Sequence, residues 1–232
     1  MSSPHNQLIA SLPIKAQRRL LALCETVPLT ANEVLCEPGQ PLRHAYFPLQ
    51  GFMCLLTQVA GHPDLEVAML GREGMLGSHL SLGLASEPWR AVVQAPGLAW
   101  RIGASALRHE LSHSAPLQRG LDRYLAVTLA QLATGAACLH FHLIAPRLAR
   151  WLLMSLDRVD GNAFHVTHES LACLLGVRRV GITVAAGVMQ ASGLISYRRG
   201  ELTILDRSGL EAVACGCHAL DLATYQRLMA RR

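Results

Sequence analysis

Two adjacent arginine pairs, Arg178-Arg179 and Arg198-Arg199, are the residues of this 232-residue chain whose type and spacing best fit a chemical task. The task is holding a polyanion. A guanidinium is a rigid fork of donors that matches O6 and N7 of guanine in the major groove of DNA. It also neutralises phosphate, which attracts without reading sequence. The first pair opens a segment of helical periodicity, and the second lies in a basic turn between two β-like runs. Thr167, His168 and Thr183 are polar positions close by and complete the candidate DNA-binding set.

The elements that must position these groups can be read from residues 165–205. Thr167 is suited to be an N-cap, and the helix after it buries Leu171, Leu174 and Leu175. Gly176 falls where a left-handed residue is needed, and Val177 plugs the turn into the core. A second helix places Val180, Val184 and Val188 along one side and Ile182, Ala185 and Met189 along an adjoining stripe. Arg178, Arg179 and Thr183 remain at its N-terminal end, where a recognition helix contacts bases. Residues 193–197 and 202–205 then flank Arg198-Arg199-Gly200-Glu201 as a basic wing. Before all this, Leu148, Trp151, Leu152 and Leu156 form one face of a helix with Arg147, Arg150 and Arg158 towards solvent, ended by Asp160-Gly161-Asn162.

The rest of the chain has a different texture. Residues 6–24 suit short amphipathic helices, which Pro28 stops. From Asn32 to Arg101, short β-favouring runs alternate with turn signals such as Pro38-Gly39 and Pro96-Gly97, the pattern of a small antiparallel barrel or roll. After Pro116, Leu125, Leu129, Leu132, Ala136, Leu139 and Leu143 recur at steps of four and three, the seam of a helix that pairs with its own copy or packs against the roll. Pro146 breaks or restarts that helix. The expected organisation is α+β: a sensor roll over residues 1–115, a dimerisation helix over 116–145 and a winged helix-turn-helix over 146–232.

Composition narrows the function classes. Apolar residues make up 51% and charged ones 16%, which describes a packed globular protein. The net charge is +5, and residues 146–232 carry 11 Lys/Arg against 7 Asp/Glu, so the excess sits in the last third. No run of 18 uncharged apolar residues is present, and the chain is read as soluble and cytoplasmic, with no membrane partner. The seven cysteines include no CxxC pair and read as reduced core thiols. Cys215-Gly-Cys217-His218 is the one dense group, but it supplies three donors where zinc needs four, so no metal site is expected. No P-loop, GxGxxG turn or nucleophile elbow appears in context, and His165, His168 and Glu169 lack HExxH spacing, so no enzyme is expected.

At this point the layout resembles the Crp/Fnr family of regulators, most firmly over residues 166–205. Val34-Leu35-Cys36-Glu37-Pro38-Gly39, Tyr46-Phe47-Pro48 and residues 71–77 look like roll elements of that family. The resemblance implies a cyclic-nucleotide-binding-like roll, a homodimer on a pseudo-palindromic duplex, and RNA polymerase as a further partner if the protein activates. It makes Arg179 the candidate guanine reader, although the glutamate that typically follows this arginine is Val180 here. The family's nucleotide-binding pairs are matched by Glu73-Gly74 and Trp89-Arg90 in altered order, which argues against cyclic AMP and leaves either another anionic effector or a ligand-free scaffold. The absence of cysteine from residues 1–23 argues against an iron-sulfur cluster, and His140 and His142 read as structural or solvent-facing, with a haem or redox sensor of the same architecture as the alternative.

Overall fold

The computed structural model describes residues 5–230; residues 1–4 and 231–232, the ends of the first and last expected domains, lie outside that range. Helices α1 (Gln7–Ala10) and α2 (Ile14–Leu21) begin the described chain. Asn6 fixes their position: its carbonyl accepts from Ile9 N–H, while its amide donates to Pro48 O and Gly74 O, both in the roll. Pro28 does not end these helices, which close at Ala22. It sits within strand β1 (Glu25–Leu29), whose only ladder is with β5 (Arg90–Gly103). Proline is tolerated in such an edge strand because its missing N–H is not required there.

With β2 (Val34–Cys36), β3 (His44–Thr57) and β4 (Leu65–Leu70), these strands form an antiparallel sheet in the order β1-β5-β3-β4, with β2 also on β5. The short runs between His44 and Thr57 are one strand, β3, whose register with β5 shifts between Pro48 and Met53 and so bends the ladder. Phe47, Met53, Leu76 and Ile102 fill the roll, joined by Leu8 and Ile9 of α1. Burying each such side chain stabilises the fold by roughly 1.5–3 kcal/mol.

Helix α3 (Ala104–His113) leads into the long α4 (Ala115–Phe141), which carries Pro116 in its first turn, where the absent N–H is an orphan anyway. Leu117, Leu121, Tyr124 and Val127 of α4 enter the roll core. Along the expected seam, Leu125 and Leu132 are half-buried, and Leu129, Ala136 and Leu139 are exposed. Leu143 lies beyond the helix as the N-cap of α5 (Ile144–Leu156), so the break falls at His142-Leu143 and Pro146 sits in the next helix's first turn. Among the described residues, α4 is the one single helix long and apolar enough to cross a membrane. No Asp, Glu, Lys or Arg occurs in residues 124–141; Thr128, Gln131, Thr134 and His140 are what interrupt its apolar run.

The remaining elements are β6 (Ala163–His165), α6 (His168–Leu175), α7 (Arg179–Ala191), β7 (Ile195–Arg198), β8 (Glu201–Ile204), α8 (Arg207–Val213) and α9 (Cys217–Met229). They build a second core from Leu148, Trp151, Leu152, Phe164, Leu171, Ile182, Ile195 and Leu210, into which the roll contributes Phe52, Cys54 and Met69. Helix α9 returns along α4 and delivers Met229 to the roll core.

Candidate nucleic-acid interface

Helices α6 and α7 are joined by a three-residue turn and their axes bend by 113°, within the range of a helix-turn-helix. Thr167 Oγ1 accepts from Ser170 N–H at 3.0 Å, as its cap position requires. Gly176 closes α6 in the left-handed region with φ +61°, and a Cβ there would also lie 2.7 Å from Leu65 Cδ1. Ile182, Ala185, Ala186 and Met189 hold α7 against the core.

Arg178, Arg179 and Thr183 all stand exposed at the start of α7, where the free N–H groups of the first turn add their own attraction for anions. Arg179 has one loose tie, 3.7 Å to Glu169, with both side chains mostly in solvent. Thr183 Oγ1 donates back to Arg179 O at 3.1 Å. Val180, Val184 and Val188, expected as an apolar side of the helix, are 73%, 62% and 61% exposed. An exposed valine stripe therefore runs along α7 from beside the arginines. An apolar side chain in the major groove meets the thymine methyl group.

The wing is a three-stranded sheet, β6-β8-β7, one strand more than expected. Arg198 pairs with Glu201, so Arg199 and Gly200 form a two-residue loop, with φ +54° and +86°. Positive φ at both positions is the type I′ hairpin turn. A Cβ at Gly200 would lie 2.5 Å from His165 Cε1, so the loop closes tightly on β6. Arg198 and Arg199 project from this turn into solvent.

His168, half-buried, is engaged within the unit. Its ring stacks on Tyr197 of the wing, with centroids 4.4 Å apart and planes at 14°, and its Nδ1 lies 3.1 Å from Thr183 Oγ1. It links the first helix, the recognition helix and the wing. Burial, and then the nearby Arg179 charge, hold its pKa below the ordinary imidazole value.

Arg147, Arg150 and Arg158 are not the solvated face of α5. Arg147 is buried and donates to Leu175 O; Arg150 pairs with Asp221 at 2.6 Å; Arg158 pairs with Glu73 at 2.6 Å. Long-range partners, which helical periodicity cannot reveal, drew these side chains inward. Among the described residues, the exposed arginines of the last third are then Arg178 and Arg179 at the α7 start, Arg198 and Arg199 on the wing, and Arg207 and Arg227 elsewhere.

The four candidate effector residues are each engaged separately. Glu73 is taken by Arg158 and by Gly71 N–H. Gly74 lets Tyr124 approach so closely that a Cβ would lie 2.0 Å from its hydroxyl oxygen. Trp89 packs against the roll core, and Arg90 pairs with Glu37 and Asp64 at 3.3 Å each. Glu73 lines a cavity with Arg158, His218, Asp221 and Tyr225, in which Trp89 and Arg90 take no part.

Comparison with known proteins agrees with this geometry. Residues 146–213 match the family model described as a Crp-like helix-turn-helix domain. No curated protein matches the chain by sequence. Among solved structures, the c-di-GMP-responsive global regulator CLP of Xanthomonas campestris is 18% identical with a TM-score of 0.65, covering 84% of this chain and 100% of its own. FixK2 of Bradyrhizobium japonicum is 14% identical with a TM-score of 0.68, covering 83% and 98%. A CRP/FNR-family transcriptional regulator of Thermus thermophilus is 22% identical with a TM-score of 0.64, covering 82% and 98%. The chain carries a Crp-like helix-turn-helix domain within the fold of the Crp/Fnr-type DNA-binding transcription regulators.

Proposed function

We propose that this protein is a homodimeric, sequence-specific DNA-binding regulator of transcription. The carrying observation is the exposed start of α7, with Arg178, Arg179 and Thr183 beside the valine stripe, flanked by two arginines on a type I′ wing turn. Arg179 reads a guanine edge, the valines meet thymine methyls, and Arg198 and Arg199 hold the backbone beside the groove. Thr167, at the exposed start of α6, is placed for a phosphate.

The dimer is supported by the exposed Leu129, Ala136 and Leu139 on α4, a helix otherwise fixed to the roll on its opposite side. The small residues Ala133 and Gly135 let a second copy approach. Two-fold symmetry then puts two α7 helices on half-sites about one helical turn, ~34 Å, apart. The cytoplasm is where such a protein works, and RNA polymerase becomes a partner if the bound complex activates.

The ion pairs favour an effector-independent form of this reading. Glu73 and Arg90, the groups expected to hold an anionic effector, each already have an intramolecular partner, so a ligand would have to displace Arg158 or the two acids. The c-di-GMP response belongs to the Xanthomonas regulator. Selection of bound duplexes from a randomised pool, at a stated salt concentration and without added ligand, tests the proposal. A two-fold symmetric motif is the expected result, and a bound pool without any motif overturns it.

A further inference from the structure

Away from the DNA-facing surface, four metal-binding side chains converge at the base of the helix-turn-helix unit. Cys138 belongs to the last turn of α4, with His142 four residues on as its C-cap; Cys215 and Cys217 stand before and at the start of α9. Their ligand atoms all lie within 4.8 Å of one another. Cys138 Sγ is 3.5 Å from Cys215 Sγ, and Cys217 Sγ is 3.7 Å from His142 Nδ1. Donors on a tetrahedral zinc ion, at ~2.3 Å for sulfur and ~2.0–2.1 Å for nitrogen, stand roughly 3.5–3.8 Å apart. These two approaches match that spacing before any ion draws the group together.

We propose that Cys138, His142, Cys215 and Cys217 form a structural Cys3His site for zinc or a similarly soft divalent cation. The three cysteines are buried in a cluster of their own, apart from both cores, so they do not belong to the apolar packing of either. An imidazole nitrogen directed at buried sulfur has no role in apolar packing but is the fourth donor such a centre needs. On binding, each thiol gives its proton to solvent and enters as thiolate, so three thiolates on a divalent ion leave one negative charge. The surroundings supply the balance: Arg147 and Arg150 line one cavity with Cys138. Charged neighbours of this kind orient and stabilise metal ligands.

The donor pairs bracket residues 143–214, which contain the entire helix-turn-helix and wing. A metal here closes that unit at its base and fixes it to the end of α4. His218, the third donor of the local sequence cluster, is not part of the site: its Nε2 bonds Asp157 Oδ2 at 2.8 Å. The consequence for DNA binding rests on the reading given above, whereas the metal itself does not.

The test is the metal content of the full-length chain, purified under reducing conditions without chelator, together with the absorption spectrum after Co2+ is added to the metal-free reduced chain. One zinc per chain and intense tetrahedral cobalt bands with thiolate-to-cobalt charge transfer are expected. Cys138→Ser should lose both, and His218→Gln should keep both. The wild-type cobalt spectrum stands independently of whether Cys138→Ser folds. Absence of zinc together with absence of thiolate–cobalt absorption, loss of metal in His218→Gln, or a Cys138–Cys215 disulfide in the reduced preparation would each overturn the assignment. Duplex binding by the metal-loaded chain, measured separately, reports on the DNA reading alone.

Discussion

The guanidinium of Arg158 stands 2.6 Å from the carboxylate of Glu73, an ion pair across 85 residues of sequence that joins the turn after α5 to a turn of the roll. Both side chains are largely out of water, at 8% and 17% exposure, and Arg158 also donates to Met154 O. Removing one partner leaves a buried charge without its counter-ion. Glu73→Ala should therefore lower stability by about 3–5 kcal/mol, read as a shift of the denaturant midpoint. Replacing both residues by apolar ones should recover much of that loss.

The same pair bears on ligand response. With Glu73 and Arg90 both engaged, cyclic AMP has no free carboxylate and guanidinium to bind. Calorimetric titration with cyclic AMP should show no saturable heat, and the nucleotide should leave duplex affinity unchanged. Saturable binding that strengthens duplex affinity would restore the roll as a nucleotide sensor.

How much of this was legible beforehand depended on the range of the interactions. Thr167, Gly176 and the Arg199-Gly200 turn are determined by neighbours within a few residues, so their types reveal their conformations. Periodicity places Arg147, Arg150 and Arg158 opposite Leu148 and Leu152 and so towards solvent; their partners Leu175, Asp221 and Glu73 are brought in only by the fold. Val180, Val184 and Val188 carry the pattern of a buried stripe yet face solvent, because the fold packs Ile182, Ala185 and Met189 against the core and leaves the adjoining stripe outside. The cysteine cluster lacked a fourth donor in local sequence because Cys138 and His142 arrive from the far side of the helix-turn-helix unit.

Thr167 tests the local construction of the helix-turn-helix. Thr167→Ala removes the acceptor for Ser170 N–H and should cost about 1 kcal/mol, whereas Thr167→Ser should be close to neutral. Thermal or denaturant unfolding distinguishes the two.

The wing arginines should act on affinity without acting on sequence. Each phosphate neutralised by an arginine contributes about 0.9 to the slope of log K against log salt, so Arg198→Ala with Arg199→Ala should flatten it by roughly 1–2. Titrations at several salt concentrations, on matched and mismatched duplexes, should show the same reduction for both. A loss confined to one base pair would make the wing a base reader.

His168 gives the fold a pH dependence. Its pKa is lowered in the folded chain, by burial first and by Arg179 second, so the unfolded chain binds the proton more readily. Stability is then fully retained above the ordinary histidine value of about 6.5 and falls as pH drops from there towards the folded pKa. An NMR titration of the His168 ring should give a midpoint below about 6.5, and His168→Gln should remove this part of the acid sensitivity.

Base reading by Arg179 is tested most directly by comparing the wild-type chain and Arg179→Ala on the selected duplex and on its single-base variants at fixed salt. The variant should lose roughly 1–3 kcal/mol on the selected site and should no longer discriminate at one base pair in each half-site. Equal losses on every duplex would reduce Arg179 to a phosphate contact, and a wild-type chain that binds all the duplexes alike would contradict sequence-specific recognition through α7.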